Sequence, residues 1–143
     1  FTLCTMEALK PAWIPYIQSV LNIRQQMEHE EYLKLYFEFE KSIDDIEIEQ
    51  LLFYFTYVYC CQSAYDGALL AKIKMAVVNT LIIKELWFMN WLENDKKLTI
   101  DDKVEYAHWF VREVENSDEN MEQWDSLMHR NPRFSLENIF KLL

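Results

Sequence analysis

Glycine is almost absent from this sequence: Gly67 is the only one among 143 residues. Glycine is the residue best suited to left-handed turns, phosphate-cradling loops and tight corners between strands. With a single glycine, the chain has no glycine-rich nucleotide loop and no Gly-x-Ser-x-Gly nucleophile turn, which excludes nucleotide-loop enzymes and α/β hydrolases. The scarcity of glycine predicts a chain that is nearly all helix.

Basic residues are also scarce, with 14 Lys and Arg against 24 Asp and Glu and a net charge of −10. The acids concentrate in two stretches, Glu28 to Glu49 and Glu113 to Asp125, and the second stretch contains no base. Binding nucleic acid through its phosphates requires clustered Lys and Arg, so we expect no nucleic-acid partner. A basic partner is the more natural one, whereas the simpler interpretation of each acidic cluster is the solvated face of a helix.

Cysteine and histidine are too few and too scattered for a metal signature. Cys4, Cys60 and Cys61 are an odd number without a C-x-x-C motif, which indicates neither a disulfide framework nor a zinc site. Glu105 and His108 form one Glu-x-x-His pair, whereas a di-iron bundle needs two such pairs and two further glutamates. The sequence therefore predicts no metal site, a reducing cytoplasmic setting, and Cys60 and Cys61 as small core residues at the end of a helix.

No long uncharged segment is present either. The most apolar run, Leu81 to Leu92, is interrupted by Lys84 and Glu85, whereas a membrane span needs about 20 nearly uncharged residues. We interpret this run as a buried core helix and expect no membrane partner. Because the sequence begins with Phe1 and shows no secretory signal, we expect residues 1–143 to be one helical domain at the C-terminal end of a longer protein.

Apolar residues recur at three- and four-residue spacing along most of the chain, which predicts α-helices. The predicted fold class is all-α, a compact bundle of about five to seven helices with short connections. The predicted helices cover about 15–25, 28–41, 44–61, 66–93, 99–129 and 135–143.

The helix predicted over about 66–93 is apolar on nearly every side and belongs at the centre of the bundle. We expect Asp66 to cap its start and Asn94 to adopt the left-handed conformation at its end. Gly67 lies at the entry to this helix, where the missing side chain is expected to let another backbone or a ligand approach closely.

The helix predicted over about 99–129 opens with a capping box between Thr99 and Asp102. Apolar residues recur at three- and four-residue steps along one face of this helix as far as Met128. Ser117 is the one polar residue at these positions. This continuous spacing predicts one long helix.

Polar groups concentrate around Ser117, in the segment Arg112 to Asn120. One interpretation is a solvated helix face with a tolerated serine. The other is a hydrogen-bonding site built from Arg112, Glu113, Ser117 and Asn120, whose acids are able to receive an ammonium group.

Two runs of the sequence resemble one protein family. The run from Tyr65 to Lys74, Tyr-Asp-Gly-Ala-Leu-Leu-Ala-Lys-Ile-Lys, continues to Leu86 through Leu-Ile-Ile-Lys-Glu-Leu. This run and the later Arg-Glu-Val-Glu-Asn-Ser-Asp-Glu-Asn are similar to the C-terminal region of the flagellin lysine N-methylase family. The resemblance extends from Leu51 to about Trp124. Asn116 stands where the family has histidine, so we expect no titrating imidazole there.

The resemblance implies a parent protein that transfers methyl groups from S-adenosylmethionine to lysines of flagellin, or of a related surface protein, in a bacterial cytoplasm. The family's iron–sulfur segment lies towards the N-terminus, so neither cofactor is expected in this chain, which by itself would be inactive. The chain would contribute substrate contacts or part of the active site.

We assign no catalytic residue from the sequence. The candidate polar site comprises Tyr65, Asp66, Arg112, Glu113, Ser117 and Asn120, and the hypothesis predicts that Asp66 meets the later segment in space. The alternative hypothesis is a non-catalytic, acidic helical module that binds a basic partner or stabilises its parent protein.

Overall fold

The computed structural model describes residues 2–141, and for residues 2, 62 and 64–66 it describes the backbone but not the side chain. In this part of the chain the structure has seven α-helices, two short 3-10 helices and no strand, which confirms the all-α prediction. The α-helices are α1 (Trp13–Gln26), α2 (His29–Glu40), α3 (Asp45–Asp66), α4 (Leu69–Glu93), α5 (Ile100–Glu115), α6 (Asp118–Arg130) and α7 (Leu136–Phe140).

The chain divides into two compact units. The first comprises Phe1–Asp44 and Ile83–Asn120, and the second comprises Asp45–Ile82 and Met121–Leu143. The boundary between the units falls inside α4 and again inside α6. The single domain over residues 1–143 stays a prediction.

The core of the first unit is built on the second half of α4, which buries most of its surface. Phe39 of α2 is fully buried, and its ring centroid lies 5.4 Å from that of Phe88 and 5.8 Å from that of Trp91. On the other side of this unit, Trp13 of α1 packs edge-on against Phe110 of α5, with centroids 6.4 Å apart. The predicted central apolar helix is thus confirmed as buried over its second half, whereas Leu69, Leu70 and Ile73 near its start are exposed. Among the described residues, no helix is long and apolar enough to cross a membrane.

The core of the second unit contains a closed polar network. Asn79 of α4 is fully buried, and its amide nitrogen donates to the Tyr59 hydroxyl at 2.6 Å. Its amide oxygen accepts from the indole nitrogen of Trp124 at 2.7 Å. Because each partner is satisfied, this polar group costs little inside an apolar core.

The start of α4 differs from the prediction. Helix α3 continues past Cys61 and ends at Asp66, so the prediction that Asp66 caps α4 is wrong. Gly67 stops α3 by adopting φ +70° while its N–H donates to the Ser63 carbonyl at 2.9 Å, the usual role of glycine after a helix. A Cβ atom at Gly67 would meet nothing within 4 Å, so the predicted close approach of another backbone is also wrong, whereas the approach of a ligand stays a prediction.

The end of α4 differs as well. The Asn94 N–H still donates to the Asn90 carbonyl at 3.0 Å, as in a continuing helix. The left-handed residues are instead Asp95, with φ 52°, and Lys96, with φ 63°. The prediction for Asn94 is therefore wrong by one to two residues.

The predicted long helix is two helices. Its start is confirmed, because Thr99 and Asp102 form both hydrogen bonds of a capping box. The chain leaves the helix at Asn116 and Ser117, and the Ser117 hydroxyl accepts from the Asn120 N–H at 3.3 Å, which is the bond that an N-cap makes. The prediction of one helix over 99–129 is wrong. Ser117 caps α6, but its spacing from the neighbouring apolar residues is the same as that of a residue inside a continuous helix.

The cysteines are free thiols, and their burial differs from the prediction. Cys60 is half-buried and Cys61 is exposed. The prediction of two core residues is wrong because α3 does not end there and continues with Cys61 on its outer side.

Candidate functional site

Asn120 holds the N-terminal segment through the backbone of Glu7. Its side-chain oxygen accepts from the Glu7 N–H at 2.9 Å, and its amide nitrogen donates to the Glu7 carbonyl at 2.8 Å. The same nitrogen also donates to the Glu113 carbonyl at 2.7 Å, one of the carbonyls left free where α5 ends. Asn120 is fully buried, so these bonds satisfy a side chain that has no access to water.

Glu113 makes the second attachment of this segment. One carboxylate oxygen, Oε2, accepts from the backbone N–H groups of Leu9 at 2.7 Å and Lys10 at 3.3 Å. These groups precede α1, whose N-cap residue Ala12 offers no side-chain acceptor. Glu113 is 1% exposed, so a carboxylate is buried here to bind backbone donors.

Ser117 adds a third contact from the turn between α5 and α6. Its hydroxyl donates to the Glu7 carboxylate at 2.9 Å while it accepts the capping bond from Asn120. The side chains of Glu113, Ser117 and Asn120 thus all form hydrogen bonds with the same short segment, Glu7 to Lys10.

Four buried side-chain atoms of the first unit have no hydrogen-bond partner among the described residues. They are the Tyr16 hydroxyl, Trp109 Nε1, Arg112 Nε and Glu113 Oε1. A buried polar atom without a hydrogen-bond partner destabilises the folded state by about 1–3 kcal/mol. Four such atoms on two helices therefore require an explanation. Trp109, Arg112 and Glu113 lie on α5, and Tyr16 lies on α1, where its ring packs against Trp109.

We give the name α1–α5 seam to these four residues and the two rings beside them, and define it by Trp13, Tyr16, Tyr106, Trp109, Arg112 and Glu113. The Tyr16 ring stacks on Trp109 at 5.0 Å between centroids and lies 5.5 Å from Tyr106. The Trp13 ring meets Trp109 edge-on at 5.4 Å. The two helices run in opposite directions along the seam, which is about 10 Å long from Tyr106 to Glu113 on the axis of α5.

The Tyr16 hydroxyl stays protonated at neutral pH. Burial raises the pKa of Tyr16 far above its ordinary value of 10.0, and the neighbouring Tyr106 and Glu93 raise it further. Tyr16 therefore acts as a neutral donor or acceptor and not as a base.

A second polar network of the first unit joins α2 to α4. The Tyr32 hydroxyl donates to Glu85 at 2.9 Å, and the Arg24 guanidinium lies 3.8 Å above the Tyr32 ring. Burial raises the pKa of Glu85, whereas the Tyr32 hydroxyl and Arg24 lower it. Lys84 pairs with Glu40 at 2.7 Å beside it. This network is internally satisfied, which distinguishes it from the α1–α5 seam.

Of the six residues predicted for the polar site, Glu113, Ser117 and Asn120 come together around the N-terminal segment. Arg112 lies next to them on α5, half-buried, with Nε unpartnered. The side chains of Tyr65 and Asp66 lie outside the described residues, so their predicted meeting with this segment stays a prediction.

The sequence analysis missed Glu7, Tyr16 and Trp109. Trp109 carried a signal in the sequence, because it is apolar and lies three residues after Tyr106, on the same side of α5. Glu7 carried none, since no local pattern relates it to a residue more than 100 positions away. In the part of the chain that is described, no group of three or more His, Cys, Asp or Glu is placed to hold a metal ion.

Comparison with known proteins identifies the family. A model of the FliB lysine N-methylase C-terminal domain matches residues 1–142. No curated protein and no solved structure matches the chain. The resemblance deduced from two runs is thereby confirmed and extended to almost the entire sequence. The chain belongs to the FliB lysine N-methylase C-terminal domain family.

Proposed function

We propose that this domain contributes substrate contacts to a lysine N-methylase that acts on a flagellin-like protein, and that Glu113 receives the lysine ammonium group. The observation that carries the proposal is Glu113 Oε1, an unpartnered carboxylate oxygen on a side chain that is 1% exposed. An ammonium group supplies the donor that this oxygen lacks, in a charge-assisted bond that is stronger than a neutral one.

The unpartnered atoms of the seam complement a lysine-bearing peptide. Trp109 Nε1 and Arg112 Nε are donors that require acceptors, whereas Glu113 Oε1 is an acceptor that requires a donor. A peptide has carbonyl oxygens for the two donors and a lysine side chain for the acceptor. The length of the seam, about 10 Å, corresponds to about three residues of extended chain.

The aromatic rings of the seam suit the rest of a lysine side chain. Its methylene stem packs on apolar surface while the charged end reaches a polar partner. The face of an aromatic ring that no other ring covers attracts cations, including methylated ammonium groups. The same rings therefore accommodate the lysine before and after methylation.

The methyl-transfer chemistry lies outside this chain in the proposal. The chain has three cysteines, fewer than the four thiolates that hold an iron–sulfur cluster, so its residues do not fit that group. We place no site for S-adenosylmethionine here, since the one glycine provides no glycine-rich loop for a nucleotide-type ligand. The domain by itself is inactive and positions the amine for the parent enzyme in the bacterial cytoplasm.

Steady-state kinetics of the intact methylase test the proposal. Glu113→Gln keeps an oxygen for the Leu9 and Lys10 N–H groups but removes the charge that receives an ammonium. We expect the KM for the protein substrate to rise about tenfold, or about 1.4 kcal/mol, with the KM for the methyl donor unchanged. Glu105→Gln, at an exposed position of α5, is the matched control. An unchanged KM for the protein substrate in a folded Glu113→Gln enzyme overturns the proposal.

A further inference from the structure

Helix α3 in the second unit is apolar on two opposite sides. One side buries Phe55 and Tyr59 completely. The other side exposes Ile46 (55%), Phe53 (74%) and Tyr57 (65%), which follow one another at spacings of seven and four residues. We name this second side the α3 outer face and define it by Ile46, Phe53 and Tyr57.

The C-terminal half of the α3 outer face is an aromatic pair, and Ile46 lies two helical turns before Phe53 on the same side. The rings of Phe53 and Tyr57 stack with centroids 6.5 Å apart and an interplanar angle of 16°. From Ile46 to Tyr57 the stripe extends about 16 Å, or three helical turns. Large apolar patches are uncommon on the surface of soluble proteins, because an exposed ring does not contribute the free energy of burial. Such patches mark sites of interaction.

The charged residues of α3 itself are all acidic. Between Lys41 and Lys72 the sequence contains no lysine, arginine or histidine. Asp45 and Glu49, both exposed, lie on the N-terminal half of α3 beside the apolar stripe. The faces of the aromatic rings are themselves attractive to cations. The surface is therefore complementary to a partner that is apolar and basic at once.

We propose that the α3 outer face is a docking surface for an amphipathic, lysine-bearing helix of a protein partner. Apolar side chains of that helix cover Phe53 and Tyr57 at the spacings typical of helix-in-groove recognition. Its lysines lie over the aromatic rings and reach Asp45 and Glu49. This inference rests on the second unit alone and holds whether or not Glu113 binds a substrate lysine.

Titration of this 143-residue chain with a designed peptide tests the inference. The probe is a peptide of about 14 residues, or roughly 20 Å of helix, with leucines on one face and lysines on the other. The counter-probe replaces each lysine by glutamate. Calorimetry should show binding of the lysine peptide that weakens as salt is added, since ion pairs at a surface are screened, and weaker binding of the glutamate peptide.

Three variants locate the binding. Phe53→Ser combined with Tyr57→Ser should weaken binding of the lysine peptide at least about tenfold. Ile100→Ser removes an equally exposed apolar side chain (73%) from α5 and should change nothing. Glu49→Lys leaves the apolar stripe intact and should weaken the lysine peptide while strengthening the glutamate peptide.

Two results overturn the inference. One is binding of the lysine peptide that the double variant leaves unchanged while circular dichroism shows a native fold. The other is a dimer of the unmodified chain in sedimentation that the double variant converts to a monomer, because the face is then an interface between two copies.

Discussion

The side-chain amide of Asn120 pairs with both backbone groups of Glu7, which lies 113 residues earlier in the chain. It accepts from the Glu7 N–H at 2.9 Å and donates to the Glu7 carbonyl at 2.8 Å. The pairing attaches the segment before α1 to the turn between α5 and α6.

Asn120→Ala should lower the free energy of unfolding by about 2–3 kcal/mol, because it leaves the Glu7 backbone and the Glu113 carbonyl without partners. Urea denaturation gives this value, and hydrogen exchange at the Glu7 amide should accelerate. Asn22→Ala, an exposed position on α1, is the control and should alter stability by less than about 0.5 kcal/mol. Equal stability of the two variants would show that the pairing is not formed in solution.

Two substitutions at Glu113 separate its structural role from its ligand-binding role. Glu113→Ala removes the acceptor of the Leu9 and Lys10 N–H groups and should cost about 2 kcal/mol or more. Glu113→Gln keeps that acceptor and removes a buried charge, so its stability should remain within about 1 kcal/mol of the original protein. Thermal denaturation distinguishes the two. If both variants lose the same stability, the charge and not the acceptor holds the N-terminal segment.

The stability of the protein should depend on the protonation of Glu85. Burial raises the pKa of this carboxyl above its ordinary value of 4.5, so the folded state holds the proton more tightly than the unfolded state. Its contribution to stability is complete below about pH 4.5 and is lost as the pH rises through the folded-state pKa.

Glu85→Gln keeps an acceptor for the Tyr32 hydroxyl and does not ionise. Relative to the original protein, this variant should therefore gain stability between about pH 4 and about pH 7. Urea denaturation at the two pH values measures the change. Glu93→Gln, at an exposed position, should show no such gain. A difference that stays constant with pH would contradict the expected titration of Glu85.

Gly67→Ala should destabilise the protein by about 1–2 kcal/mol, since alanine at φ +70° places its Cβ against the following carbonyl. Gly67→Asn should cost less, because asparagine tolerates the left-handed region better. Calorimetric unfolding compares the two. A Cβ at this position meets no neighbour, so equal losses for both variants would indicate a packing role that the fold does not predict.

Features that depend on neighbouring residues were predictable from the sequence. The single glycine and the three- and four-residue apolar spacing predicted an all-α chain, because both act through local backbone geometry. The capping box of Thr99 and Asp102 was predictable for the same reason, since its partners lie within one turn. Predictions failed where one residue type serves two local structures. Ser117 has the same spacing from its apolar neighbours whether it lies inside one long helix or caps α6.

The candidate site depends on contacts between residues that are far apart in the sequence. From the sequence alone, Arg112 to Asn120 is a polar segment in a mainly helical region, but the break between α5 and α6 at Asn116 and Ser117 is not evident. Only the tertiary structure decided that Glu113, Ser117 and Asn120 bind the segment from Glu7 to Lys10, and that Glu113 Oε1 is left without a partner. Hydrogen bonds between residues more than 100 positions apart have no period in the sequence, because they exist only once packing of α1 against α5 brings their donors and acceptors together.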